Sequence, residues 1–136
     1  MKKVFVDTNL FIRYLVNDIP SQIDKVEALF DLAEKGKVRL VTGPPVFFEM
    51  AWTLNSFYNM NRKHIYECLS SILGLPGIEV TDLDILEEAL ELFYHTSSDF
   101  SDAYIAVLSN KVGAESVATF NAKHFKNLPV KLYLFK

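Results

Sequence analysis

Lys3-Val4-Phe5-Val6-Asp7-Thr8-Asn9-Leu10-Phe11-Ile12 places an acid at the end of a β-favouring run, with an apolar segment directly behind it. Residues 3–6 read as a short strand. Runs of the same kind return at Val38-Arg39-Leu40-Val41-Thr42, Ile78-Glu79-Val80, Ser116-Val117-Ala118-Thr119 and Leu132-Tyr133-Leu134-Phe135, which makes about five short strands. Between them the periodicity turns helical. Ser21 to Lys35 has Ser21 as a cap, Ile23, Val26, Leu29, Phe30 and Ala33 on one face, and Gly36 as a stop. Further helices fit Val46 to Tyr58 after the Pro44-Pro45 break, Arg62 to Leu73, Leu83 to Phe93, and Asp99 to Lys111 before Gly113. Strands alternating with such helices imply an α/β chain with a mainly parallel sheet covered on both faces. Ligands of such sheets bind beyond the carboxyl ends of the strands, and Asp7 stands at one of those ends.

Length and composition set the frame for that reading. The chain has 136 residues, 50% of them hydrophobic and 13% aromatic, which suits one compact domain spanning residues 1–136. No apolar run reaches the roughly 18 residues of a membrane span, and Asp7 interrupts the N-terminus too early for a secretory segment, so a cytoplasmic protein is expected. Cys68 is the only cysteine, which excludes an internal disulfide, and its helical context fits a small core residue. The net charge of −3 gives no global sign of nucleic-acid binding. Its distribution is uneven. Asp82, Asp84, Glu87, Glu88, Glu91, Asp99 and Asp102 fall in a stretch without Lys or Arg, whereas Lys111, Lys123, Lys126, Lys131 and Lys136 face only Glu115. An acidic cluster beside a basic tail suits a site that gathers cations and meets a phosphate chain at its rim, while solvated helix faces are the plainer reading.

The acids are the candidates for chemistry. Asp7 is either a ligand at the end of the first strand or a helix N-cap, and Thr8 or Asn9 is able to take the capping role instead. Glu49, in Val46-Phe47-Phe48-Glu49-Met50-Ala51-Trp52, is expected on or beside the apolar helix face, where a carboxylate needs a cation, hydrogen-bond donors or a salt-bridge partner. Asp99 and Asp102, in Asp99-Phe100-Ser101-Asp102-Ala103-Tyr104, share one face of the first turn of an apolar helix; Asp99 also fits an N-cap, and Asp102 fits a ligand better. Asn121, after the fourth strand run, offers a neutral oxygen and a donor, or serves as a turn residue.

Carboxylates without a His or Cys cluster suit Mg²⁺ or Mn²⁺. His64, His95 and His124 show no ligand spacing among themselves, so a surface or core role is expected for each. Neither a nucleophile elbow, a P-loop nor G-x-G-x-x-G is present, which argues against serine-type catalysis and nucleotide cofactors. A haloacid-dehalogenase-type phosphatase needs a second acid two residues after Asp7, where Asn9 stands, and a phosphoacceptor receiver needs an acidic pair that is missing.

The series Val6-Asp7-Thr8-Asn9, Glu49 in an apolar helix, Asp99-Phe100-Ser101-Asp102-Ala103, and Ala118-Thr119-Phe120-Asn121-Ala122-Lys123-His124-Phe125 resembles the PIN-domain family, in order and in approximate spacing. It is most similar to the VapC-like toxins of bacterial and archaeal toxin-antitoxin pairs. The resemblance implies a three-layer α/β/α sandwich and endonucleolytic cleavage of RNA with Mg²⁺ or Mn²⁺. Asp7, Glu49 and Asp102 match the family's main acids, Asp99 matches an acid one helical turn earlier, and Asn121 falls at the fourth acidic position, which weakens the case for a second metal. By the same resemblance Asp7 and Asp102 would be direct ligands, Glu49 would bind through water or act as base, and Thr8 and Asn121 would orient from behind. A small antitoxin and a homodimer are the partners it implies. Lys111, Lys123, Lys126 and Lys131 are candidate phosphate contacts. Phe11, Tyr14, Phe57 and Tyr58 either line an interface or fill the core. The alternative function is a PIN-like module that binds RNA or protein without catalysis.

Overall fold

A computed structural model describes residues 1–136, which form two compact units, Met1–Leu83 and Asp84–Lys136. The first holds β1 (Lys3–Phe5), α1 (Thr8–Val16), α2 (Pro20–Glu34), β2 (Arg39–Thr42), α3 (Pro44–Ser56), α4 (Arg62–Leu73) and β3 (Ile78–Val80). Its three strands run parallel in the order β1-β2-β3, with Val4 opposite Leu40 and Leu40 opposite Ile78. Parallel neighbours need crossovers, and each crossover here contains two helices. α1 packs on α2 and α3, and α3 packs on α4. Val6, Phe11, Leu40, Phe47, Met50, Leu54, Leu69 and Ile72 are buried in full or nearly so.

The helix starts follow from proline rather than from the serine expected to cap α2. Pro20 occupies the first turn of α2 with Ile19 as N-cap, and the Pro44-Pro45 pair opens α3 instead of preceding it. A ring-locked φ near −65° and a missing N–H cost nothing in a first turn, where that N–H has no partner anyway. α1 was represented in the sequence only by Leu10-Phe11-Ile12; it runs to Val16 and stops at Asn17, which takes the left-handed conformation at φ 60°.

At the carboxyl end of the sheet the three strand ends are tied together. The Val6 N–H donates to Val41 O at 2.8 Å, and the Thr81 N–H donates to Thr42 O at 3.0 Å. The fully buried Thr42 hydroxyl donates to Val6 O at 3.1 Å, fixing the peptide that leads into Asp7. Gly43 follows, and a Cβ there would lie 2.3 Å from Thr81 Oγ1. Gly77, just before β3, is confined both by φ +78° and by Ala33, whose backbone carbonyl atoms would sit 2.9 Å from an added Cβ. Gly36 shares the positive φ, at +75°, but has nothing within 4 Å. Gly77→Ala is therefore expected to destabilise by about 2–3 kcal/mol and Gly36→Ala by about 1 kcal/mol. Urea midpoints at unchanged slope would check the difference, and equal losses would mean that crowding against Ala33 contributes nothing.

The second unit holds nearly all of α5 (Leu83–His95), together with α6 (Phe100–Lys111) and a 3₁₀ turn (Ala122–Phe125). Ala106, Phe125 and Leu128 form a buried cluster flanked by Leu92, Val117, Val130 and Leu132. The expected α/β class with a parallel sheet is present, but three of the five expected strands form it. Residues 116–119 and 132–135 meet only in one parallel bridge, Val117 with Leu132. Ala118, Tyr133 and Leu134 are exposed, so extending the pairing would bury little on either face.

Cys68 is buried against Met60, and burial pushes its thiol up, as befits a core cysteine. Phe11 is core, with its ring centroid 6.1 Å from Phe30, whereas Phe57 is 73% exposed. Tyr58 joins Arg13 and Asp18 in a polar cluster of the first unit. No helix is long and apolar enough to cross a membrane.

Candidate active site

Asp7 occupies the N-cap position of α1 with extended backbone, φ −87° and ψ 165°, yet its side chain makes no capping hydrogen bond. The carboxylate is exposed and left to other partners. Next to it, Thr8 is 2% exposed, and its Oγ1 is a buried polar atom without a hydrogen-bond partner. Orphans of this kind are rare because an unmade hydrogen bond keeps the full desolvation cost. An unpaired hydroxyl behind an unpaired carboxylate fits a strand end built to receive a polar ligand.

Glu49 departs from expectation in its burial. The buried stripe of α3 is Val46, Phe47, Met50 and Leu54. At 100° per residue, Glu49 points roughly 115° away from the middle of that stripe, toward solvent. It is exposed and forms no ion pair, so the structural salt bridge that would have accounted for it is absent.

In the second unit, Asp99 is the N-cap residue of α6 by backbone, φ −69° and ψ 155°, and its carbonyl accepts the Ala103 N–H at 3.0 Å. Its side chain, like that of Asp7, makes no capping bond. Asp102 lies in the first turn of α6 with its side chain 15% exposed, and its Oδ2 is 3.3 Å from His124 Nδ1. Both acids line a cleft of about 200 Å³ with Ser97, Lys123, His124 and Asn127. Burial pushes the Asp102 carboxyl above its ordinary value; the His124 ring pulls it back, and the Asp99 charge adds to the rise. A carboxylate with this balance gains from any further cation beside it.

Asn121 is exposed at the start of the 3₁₀ turn, its N–H bonded to Thr119 Oγ1 at 2.9 Å and its side chain free of any cap. That turn also delivers His124, whose ring is half exposed. A surface histidine was expected here, but not its contact with Asp102, because the two lie far apart in sequence and no ligand spacing connects them. Thr42 was missed for a similar reason: nothing in the sequence distinguishes a buried threonine that holds a carbonyl from an ordinary strand residue. Lys111, a candidate phosphate contact, pairs with Asp84 at 3.3 Å in an exposed ion pair, while Lys123 lines the cleft.

The sequence-predicted acids thus divide between the units, Asp7 and Glu49 in the first, Asp99 and Asp102 in the second. Neither unit by itself gathers three or more His, Cys, Asp or Glu side chains that could hold a metal ion. What each supplies is a pair of oxygen donors on a strand end or a helix, with no histidine or cysteine cluster to favour a softer ion.

Comparison with known proteins bears on the chain as a whole. A "VapC ribonuclease" of Aquifex aeolicus (strain VF5) is 27% identical over 127 residues, covering 93% of this chain and 92% of that protein. Residues 4–131 match the PIN domain, a span that contains Asp7, Glu49, Asp99, Asp102 and Asn121. That match covers most of the chain, and the chain belongs to the PIN-domain family.

Proposed function

We propose that this chain is a metal-dependent endoribonuclease, residues 1–136 acting as one nuclease domain, and that it is the toxin of a toxin-antitoxin pair. The observation that carries the reading is a set of carboxylates, Asp7, Glu49 and Asp99, that neither cap helices nor enter salt bridges, all inside the span matched by the PIN domain. Carboxylates left without protein partners on well-packed elements have oxygens free for a hard cation. The relative from Aquifex aeolicus is named a ribonuclease, and the proposal carries that activity to this chain. By family resemblance its further partners are a small antitoxin and a second copy of itself.

By the family resemblance alone, Asp7, Asp102 and Glu49 would be the residues that hold Mg²⁺ or Mn²⁺, the hard ions for which oxygen donors are suited. When bound, such an ion supplies Lewis-acid polarisation of a phosphodiester oxygen and a lowered pKa for water. The chain's own residues do the rest. By family resemblance Asp7 and Asp102 would be the direct ligands, Glu49 would bind through water or act as base, and Asp99 would add negative potential one turn from Asp102. His124 engages Oδ2 of Asp102. Thr8, with a hydroxyl that no protein group satisfies, and Asn121 orient water or phosphate.

Purified wild type and Asp7→Asn, incubated with total RNA and a tRNA panel in Mn²⁺, Mg²⁺ or excess EDTA, test the reading. Discrete fragments that need metal and disappear in the variant are expected. Absent cleavage, or equal cleavage by both proteins, would leave the non-catalytic binding module as the better account.

A further inference from the structure

We propose that Phe120, Tyr133 and Phe135 form a stacking platform for the bases of single-stranded RNA, an inference that rests on the ribonuclease reading above. The three rings lie in one unit and are displayed rather than buried: Phe120 is 93% exposed, Phe135 55% and Tyr133 49%. They nevertheless associate. Phe120 and Phe135 stack with centroids 5.1 Å apart and planes 18° apart, and Tyr133 meets Phe135 edge-on at 5.2 Å. A stacked pair that remains this exposed offers its outer ring faces to solvent, and large exposed apolar groups in a cluster mark a contact surface.

The backbone holds the cluster in place. Tyr133 N donates to Val117 O at 2.9 Å within the single parallel bridge, and the Thr119 hydroxyl accepts from Asn121 N at 2.9 Å across the turn that carries Phe120. Phe120 directly precedes Asn121, which is proposed to orient water or phosphate, and Phe135 precedes Lys136.

Charge selects the occupant. Lys123, Lys126, Lys131 and Lys136 belong to the same stretch of chain as the rings, and none of them forms an ion pair, in contrast to Lys111 with Asp84. Unpaired cations close in sequence to exposed aromatic faces match a strand whose phosphates meet the lysines while its bases stack on the rings. A duplex keeps its bases stacked on one another and offers no face to such a platform, so only unpaired bases would occupy it.

The test is fluorescence anisotropy with a labelled single-stranded RNA of about ten nucleotides, in EDTA so that binding is read without cleavage. Phe120→Ala and Phe135→Ala are each expected to weaken binding by roughly fivefold or more, and Phe120→Trp to restore it. Lys123→Gln with Lys126→Gln is expected to flatten the salt dependence of binding. Melting temperatures should stay at the wild-type value, since the rings are exposed. Ring variants that bind like wild type while wild type still cleaves RNA would overturn the platform and leave the nuclease standing. Loss of a wild-type dimer in Phe120→Ala/Phe135→Ala, without loss of RNA binding, would overturn it in favour of a face between two copies. Single-strand binding that depends on the rings in a protein that cleaves nothing would uphold the platform and remove the nuclease reading.

Discussion

Asp102→Asn is expected to lower metal-dependent RNA cleavage by more than a hundredfold while leaving the folded protein as stable as wild type or slightly more so. The loss follows from the role assigned to the side chain, because removing a direct ligand forfeits several kcal/mol of transition-state stabilisation, and 1.4 kcal/mol is a factor of ten. The stability side follows from burial. Asp102 is 15% exposed, and burial is the largest influence on its carboxyl, raising it. A carboxyl raised on folding contributes stability that is complete below its unfolded value and lost as the pH climbs through its folded value. At neutral pH the Asp102 charge is therefore a cost, offset in part by His124, and the neutral amide removes it. The gain should be at most about 1 kcal/mol and should shrink in acid, where the wild-type carboxyl is protonated in both states. Thermal melting in EDTA across pH 4 to 8, beside cleavage assays in Mn²⁺, reads both halves. Mn²⁺ should stabilise wild type and not the variant, by mass action on the folded state. A variant that cleaves at the wild-type rate would remove Asp102 from the site.

A residue that weakens the fold while serving the chemistry is what a functional acid looks like in energetic terms, and this contrast was legible in the sequence only in part. Asp102 stood out because six apolar or aromatic residues, Ala103 to Leu108, follow it and point to a central helix, although Ile105 and Leu108 turn out exposed. Asp7 stood out because it ends a strand. What no sequence shows is whether an acid at a helix start spends its oxygens on the helix. Asp7 and Asp99 both have capping backbone geometry and both leave the cap bond unmade, a matter of side-chain torsion beyond composition and spacing. Glu49 was placed too near the apolar face because a run of apolar neighbours on both sides does not fix which of them turn inward; Phe47, Met50 and Leu54 do, and Glu49 does not.

The fold shows the same division. The runs that became β1, β2 and β3 were readable from apolar and β-branched residues, and the two later runs were read in the same way but make one bridge. Short strands hold together only when a face is covered, and covering depends on packing that a local pattern does not encode. Proline was misread as a break because its position relative to the first free N–H, rather than its presence, decides whether it ends a helix or starts one.

Phe47→Ala is expected to be the most damaging single substitution in the first unit, costing about 3–5 kcal/mol against the 5–15 kcal/mol of a typical domain. Phe47 is 1% exposed and among the largest fully buried side chains, so truncation removes its transfer energy and leaves a cavity that neighbours fill only in part. Trp52 provides the contrast on the same helix. It is larger but 68% exposed, and Trp52→Ala should change stability by no more than about 0.5 kcal/mol. Because Trp52 is the only tryptophan and already meets water, its emission is a poor reporter of unfolding, and urea melts are better followed by far-ultraviolet circular dichroism. Phe47 also lies two residues before Glu49, so α3 should loosen around the cavity and the proposed site residue Glu49 with it. Cleavage by Phe47→Ala is expected to fail at a lower urea concentration than loss of helix, whereas wild type should lose both together. Equal costs for Phe47→Ala and Trp52→Ala would mean that α3 is not anchored through its Phe47 face, and the placement of Glu49 would then need another support.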